Sequence, residues 1–229
     1  MRIAEEVIAE HGCHALSIDK LASRFEYSRS TVYLHFDNKA DVLCAVATAV
    51  LDRQFGACEL ILPEARNARE RVLTVALVHA ESVKRHPHVI MVNLMLYDRR
   101  MIEQANERRR AALYAQRSRA YAVAETLVHE ATGAGHLKTD APASVLLPVW
   151  SMMLGGSAVL ADPQGIWRER LASPDQAVFD GANALLDGLG WGPLSNTCNC
   201  EQARADIQMR IDERIPAECW NHGPAGANN

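Results

Sequence analysis

Apolar residues recur along most of the chain at the three- and four-residue spacing of an amphipathic helix. In residues 2–11, Ile3, Val7 and Ile8 form such a stripe, and Gly12 provides a helix stop. No segment shows the strict alternation of apolar and polar residues that is typical of a half-buried strand. The pattern therefore predicts an all-α protein.

Two short helices, separated by a tight turn, are predicted next. Residues 18–25 carry one apolar stripe, and the Ser17 hydroxyl is placed to cap their N-terminus. The second helix is predicted over residues 29–35 with Ser28 as its cap. Its inward residues are Val32 and Phe36. Two short helices around a tight turn, with small polar, basic and aromatic residues outward, are typical of a helix-turn-helix.

Helical patterns continue through the rest of the chain. Asn38, followed by Asp41 three residues later, is predicted to cap a fourth helix, and Pro63 marks a break after it. Further helices are predicted over residues 65–85, 89–97, 99–130, 141–161, 174–189 and 201–214. We expect a helix-turn-helix domain at 1–45, a larger helical domain at 46–194, and a partly disordered C-terminal extension at 195–229.

Residues 141–161 contain no charged side chain, which permits two interpretations. The segment is long enough for a membrane span, but it contains Pro148 and a glycine pair, and acidic residues flank it without nearby Lys or Arg. We therefore expect a helix that is buried on all sides of a soluble protein, and no membrane partner.

The composition is that of an ordinary globular protein, with 48% hydrophobic residues and a net charge of −4. Residues 1–50 contain five Lys and Arg residues against seven Asp and Glu residues, which argues against a large basic nucleic-acid footprint. The N-terminus lacks the pattern of a signal peptide, and the six cysteines are scattered. We expect a cytoplasmic protein with reduced thiols.

The run TVYLHFDNK at residues 31–39, with Val42 and Leu43 after it, closely resembles the signature of the tetracycline-repressor (TetR) family. The resemblance covers residues 2–51 well, and the rest of the chain in its helical layout. It implies a DNA-binding N-terminal domain and a C-terminal bundle for dimerisation and ligand binding. The family usually has several residues before its first helix, so we expect either a longer natural N-terminus or a missing N-terminal arm.

The outer face of the second short helix supplies the candidate DNA contacts. Four residues are placed to face base edges, where Arg pairs with guanine and a methyl group contacts thymine; these are Arg29, Ser30, Thr31 and Leu34. The resemblance implies phosphate contacts from a second set, namely Ser17, Tyr33, His35 and Lys39. The alternative for all eight is a solvated helix surface.

By resemblance, the C-terminal helices hold an effector and form the dimer. Six residues on them suit a permissive apolar pocket, and equally an ordinary core; they are Met91, Met95, Tyr97, Tyr121, Trp150 and Met153. The helices near residues 144–161 and 174–189 are implied to form a four-helix dimer interface. The implied protein is a homodimeric repressor that a small hydrophobic or aromatic effector releases from double-stranded operator DNA.

Other interpretations stay open at this stage. An effector-independent DNA-binding factor is one, and a thiol- or metal-responsive regulator acting through Cys198, Cys200 and Cys219 is another. The arginines at 108–110 form either a second nucleic-acid patch or a solvated helix paired with Glu103 and Glu107. The chain contains no nucleophile elbow, glycine-rich phosphate loop or H-E-x-x-H motif. We therefore expect no enzyme, no cofactor and no metal site.

Overall fold

Thirteen α-helices and no strand make up the part of the chain that the computed structural model describes, residues 2–25, 29–161, 165–171 and 173–221. The predicted all-α class is confirmed. In chain order the helices are α1 (Arg2–His11), α2 (Ile18–Phe25), α3 (Arg29–Tyr33), α4 (Lys39–Ile61), α5 (Ala68–Arg85), α6 (His88–Met95), α7 (Arg99–Gln104), α8 (Glu107–Gly133), α9 (Pro142–Ala161), α10 (Ile166–Arg170), α11 (Pro174–Gly188), α12 (Cys200–Arg214) and α13 (Ala217–Asn221).

Helices α1, α2 and α3 pack around the first half of α4. The Ser17 hydroxyl accepts a hydrogen bond from the Lys20 N–H at 3.1 Å, which confirms the predicted cap of α2. Val32 is buried as predicted, and Phe36 is partly buried against the same core. The predicted cap at Ser28 lies outside the described residues.

Helix α4 joins two hydrophobic cores without interruption. The Asn38 side chain accepts a hydrogen bond from the Asp41 N–H at 3.1 Å, so the predicted cap is confirmed. The N-terminal part of α4 packs with α1, α2 and α6, whereas Ala57 and Ile61 belong to a second core with α5, α8, α9, α11 and α12. No helix break accompanies the proposed boundary at residue 45, which stays a prediction.

The predicted helix at 99–130 is wrong in one respect, because the structure divides it into α7 and α8. Helix α7 ends at Gln104, and Ala105 is extended. The Asn106 side chain then caps α8 by accepting a hydrogen bond from the Arg109 N–H at 3.0 Å. An asparagine that caps a new helix start outweighs the continuous helical pattern around it.

Helix α9 is not buried on all sides, contrary to expectation. The described helices cover one of its faces and leave Leu147, Trp150 and Val159 exposed on another. By length and composition alone, the helix could cross a membrane. Of its most apolar stretch of 18 residues, 22% is buried. Burial against the described helices therefore accounts for only part of its apolar character.

The C-terminal extension is folded onto the second core as far as Asn221. Ile207, Ile211 and Ile215, which are spaced four residues apart, are all buried. The buried Arg210 guanidinium donates to the buried Glu70 carboxylate of α5. Trp220 is also buried, with the Arg85 guanidinium 5.1 Å from its ring. The disorder that we predict at 222–229 lies outside the described residues.

Candidate nucleic-acid interface

The outer face of α3 is exposed as the sequence predicts. Tyr33 is 51% exposed and Leu34 is 82% exposed, while Val32 on the opposite face is buried. Arg29, Ser30 and His35 are exposed and Thr31 is partly so. This face therefore presents Tyr33 and Leu34 to an outside partner together with polar and basic side chains.

The charged groups near α3 are paired but accessible. Arg29 forms an ion pair with Asp19 of α2 at 2.9 Å, and both side chains are more than half exposed. Exposed pairs of this kind contribute only about 0–1 kcal/mol, so Arg29 is readily released to a base or a phosphate. Arg24 is paired in the same way with Glu10 of α1, at 2.5 Å.

Lys39 and Ser17 lie at the two helix starts that flank α3. The Lys39 ammonium donates one hydrogen bond to the His14 carbonyl at 3.1 Å. An ammonium has three donors, so two stay available to an anion. The Ser17 hydroxyl is engaged as the cap of α2, which leaves its second lone pair and its own O–H for an outside partner.

Sequence reasoning missed a contact between α8 and the residues that follow α3. The Arg109 guanidinium donates to the His35 carbonyl at 3.2 Å and lies 4.9 Å from the centre of the Phe36 ring. The sequence interpretation placed Arg109 in a solvated or nucleic-acid-binding arginine cluster. Its neighbour Arg110 donates to the carbonyls of Glu103 and Ala105, so these two arginines hold backbone rather than forming an open patch.

A buried carboxylate lies beneath this contact. Asp41 accepts hydrogen bonds from the Asp37 N–H at 2.8 Å, the Asn106 N–H at 2.7 Å and the Asn106 side-chain amide at 2.8 Å. Burial, with the Asp41 carboxylate adding to it, raises the pKa of the Cys44 thiol to about 11. Cys44 is therefore a protonated core residue at neutral pH.

The six residues suggested for the effector pocket do not share one cavity. Met91 and Met95 line a cavity of about 960 Å³ between α1, α6 and the end of α9. The Trp150 indole donates to the Tyr97 hydroxyl at 2.9 Å, on the exposed side of α6 and α9. Met153 is buried in the second core, and Tyr121 is exposed on α8. All six stay predictions.

The cavity also has a polar wall that the sequence interpretation did not foresee. Glu5 of α1 accepts two hydrogen bonds from the buried Arg53 guanidinium, at 3.0 and 2.7 Å. His86 and His88 lie beside this pair. Burial lowers the pKa of both imidazoles, and the Arg53 charge lowers it further while Glu5 opposes the shift.

The cysteines of the C-terminal extension lie far along the chain from the helix-turn-helix. The Cys198 and Cys200 sulfurs are 3.5 Å apart, and both thiols donate to the Ser195 carbonyl. Burial raises the pKa of the Cys200 thiol to about 11, and its hydrogen bond with Cys198 adds to the shift. Such a thiol is a poor nucleophile at neutral pH.

Comparison with known proteins identifies the N-terminal domain. Residues 1–46 match the family model of bacterial regulatory proteins of the tetR family. The fatty acid metabolism regulator protein of Bacillus subtilis (strain 168) is 32% identical over 76 residues. Those residues are 33% of this chain and 39% of that relative, so the match spans less than half of the relative's length.

Solved structures share the fold over most of the chain. A transcriptional regulator of the TetR/AcrR family from Thermobifida fusca aligns with 82% of this chain and 94% of its own, at 22% identity and a TM-score of 0.59. FadR from Bacillus subtilis, in complex with stearoyl-CoA, aligns with 83% of this chain and 95% of its own, at 18% identity and a TM-score of 0.62. Residues 1–46 therefore resemble the tetR-family model, and the described helices are arranged as in these solved structures.

Proposed function

We propose that this protein is a cytoplasmic, homodimeric transcriptional repressor that binds operator DNA through α3 and leaves it when a hydrophobic effector binds. The observation that carries the proposal is the exposed outer face of α3, within the segment that matches the TetR family model. Fatty acid regulators among its relatives favour one effector class, an acyl thioester.

The candidate DNA contacts in and around α3 divide into two roles. Arg29, Ser30, Thr31 and Leu34 face the base edges of the major groove, where a guanidinium reads guanine and methyl groups pack on thymine. Ser17, Tyr33, His35 and Lys39 contact phosphates and fix the register of the helix. Because residues 1–50 carry more acidic than basic side chains, we expect few phosphate contacts per protomer and a shallow salt dependence.

The cavity beside α1 suits an amphipathic effector. Met91 and Met95 give it an apolar wall that adapts to an aliphatic chain. Arg2 and Arg85 line the same cavity and provide positive charge for an anionic headgroup. Its volume of about 960 Å³ lies within the usual range for small-molecule sites.

Replacing Tyr33 with Ala tests the DNA-binding role. We expect selection from a random duplex pool to yield a palindromic operator that the wild type binds saturably. Tyr33→Ala should bind it at least about ten-fold more weakly, since a hydrogen bond to a charged group contributes about 1.5–3 kcal/mol. Fluorescence anisotropy over a range of salt concentrations measures both affinities.

Tyr114→Ala is the matched control, because Tyr114 is 50% exposed on α8 and lies outside α3. It should bind the operator as the wild type does. Equal losses in the two variants, or a wild type with no preference over scrambled DNA, would refute the assignment of α3.

Stearoyl-CoA tests the effector class. We expect it to weaken operator binding by about five-fold to 150-fold, the usual range of allosteric coupling. Anisotropy on the selected operator measures the change, with free coenzyme A and stearate as separate additions. Release by stearate alone would show that the protein recognises the fatty acyl chain of the effector. If no acyl compound releases the operator, the effector-independent factor is favoured.

Replacing Arg109 with Ala tests the path from α8 to α3. Because Arg109 holds the His35 carbonyl and the Phe36 ring, its loss should reduce the effector response by about two-fold to thirty-fold, or about 0.5–2 kcal/mol of coupling. The affinity for the effector, measured by calorimetry, should stay unchanged. Arg108→Ala removes the same charge from an exposed neighbour and should keep the full response.

Dimerisation should use the exposed faces of α9 and α11, which pack against each other. Leu147, Trp150 and Val159 form the apolar face of α9, and the small residues Ala184 and Gly188 are exposed on α11. Such a surface allows close approach of a second copy.

Replacing Leu147, 67% exposed, with Glu should place a charge in this interface. We expect dimerisation to weaken at least about thirty-fold, or about 2 kcal/mol, as for a central interface residue. Sedimentation velocity measures the change. Met209→Glu on α12, 51% exposed, should leave the dimer intact. A wild type that is monomeric at all concentrations would overturn the dimer.

A further inference from the structure

Three potential metal ligands from separate parts of the chain meet at the wall of the cavity beside α1. Glu5 belongs to α1, His86 lies between α5 and α6, and His88 begins α6. One ligand atom of each residue lies within 4.8 Å of the ligand atoms of the other two. Two imidazoles and a carboxylate make a donor set that divalent transition metals, zinc above all, bind well.

The imidazole nitrogens at this place are available for a metal ion. The Nε2 atoms of His86 and His88 are both buried and have no hydrogen-bond partner among the described residues. Buried polar atoms are normally paired, so two orphaned nitrogens at one place indicate a missing partner. A backbone group of Trp220 hydrogen-bonds to His86 and raises its pKa, as a carbonyl acceptor does. Metal-binding histidines are commonly held by such a bond from the second ring nitrogen.

We propose that Glu5, His86 and His88 bind a divalent transition-metal ion such as Zn²⁺, with one coordination position open to the cavity. The zinc-to-ligand distances of about 2.0–2.2 Å place tetrahedral ligand atoms about 3.4 Å apart. The three side chains must therefore close inward by roughly 1 Å, a shift that small χ-angle changes provide. The open position leaves room for water or for an effector oxygen or sulfur.

Arg53 modulates this site. It donates to both Glu5 oxygens, yet each carboxylate oxygen has a second lone pair that can face a metal. The guanidinium orients the carboxylate as outer-sphere donors commonly do, and its charge also lowers the affinity for a cation. The site is therefore expected to be weaker than a closed structural zinc site.

An ion bound here joins the two halves of the molecule. Glu5 lies on the first helix of the DNA-binding domain, whereas His86 and His88 precede and begin a helix of the larger domain. Metal binding therefore restrains α1 relative to α6. The effect on DNA binding rests on the proposed function, but the existence of the site does not.

Zinc titration tests the site directly. The untagged full-length protein, with Cys198 and Cys200 replaced by Ser to remove competing thiols, is stripped with chelator and titrated with Zn²⁺ by calorimetry. We expect one ion per protomer. His86→Gln and His88→Gln should each weaken binding at least about ten-fold, and Co²⁺ should give visible absorption bands that both variants lose.

His129→Gln is the matched control, because His129 is exposed on α8 and lies outside the cluster. It should bind zinc as its parent does, and circular dichroism should show all four proteins folded. Zinc binding that is absent, or that persists unchanged in both His86→Gln and His88→Gln, would overturn the site.

Operator affinity with and without zinc then tests the coupling separately. If zinc changes the operator affinity of the parent protein and His88→Gln abolishes that change, restraint of α1 by the ion is supported. Zinc binding without any change in operator affinity would retain the site and refute the coupling. If no operator binding is detected, the proposed function fails while the calorimetric result still decides the metal site.

Discussion

The carboxylate of Asp41 has no exposed surface, and it joins the beginning of α4 to the beginning of α8. It accepts hydrogen bonds from the Asp37 N–H, before α4, and from both amide groups of Asn106, before α8. A buried acceptor that loses such partners costs about 1–3 kcal/mol, so these helix starts are held in one arrangement. The Asn38 side-chain amide adds a bond to the Gln104 carbonyl across the same junction.

Helix α8 extends this junction into the larger domain. At its beginning, Arg109 holds the carbonyl of His35 and the ring of Phe36, at the end of the recognition helix. At its other end, Leu127 and Val128 are buried in the second core. A helix of 27 residues is about 40 Å long, so α8 reaches from the residues that follow α3 to the middle of the bundle. A displacement of α8 therefore acts on α3 directly, in parallel with α4.

Local signals made the N-terminal domain predictable from the sequence. The caps at Ser17 and Asn38 depend on hydrogen bonds within three residues, which the chain displays wherever it folds. The break at Asn106 has the same local cause, but a long helical pattern concealed it. The contacts of Arg109 with His35 and of Arg210 with Glu70 join residues 74 and 140 positions apart. Sequence spacing contains no information about such pairs.

For the apolar segments, the sequence likewise predicts burial but not the partner that provides it. A run without charges predicts that α9 is removed from water, but it does not say whether the cover is the same chain or a second copy. Leu147 and Trp150 are exposed within the protomer, whereas Val145 and Val149 on the opposite face are buried. The exposed fractions of these residues show how much of the predicted burial the described helices supply.

The cavity beside α1 gives the molecule a second route between its halves. Close-packed helices resist displacement, because each shift costs contacts on every side. Helix α1 is packed against α2, α4 and α6, and it also borders an open volume of about 960 Å³ toward the end of α9. On that side, Glu5 is held mainly by its hydrogen bonds to Arg53. A ligand that fills the volume supplies contacts that α1 otherwise lacks there. Under the proposed function, such a ligand acts on the candidate DNA-binding segment at its first helix, without requiring a change in α4.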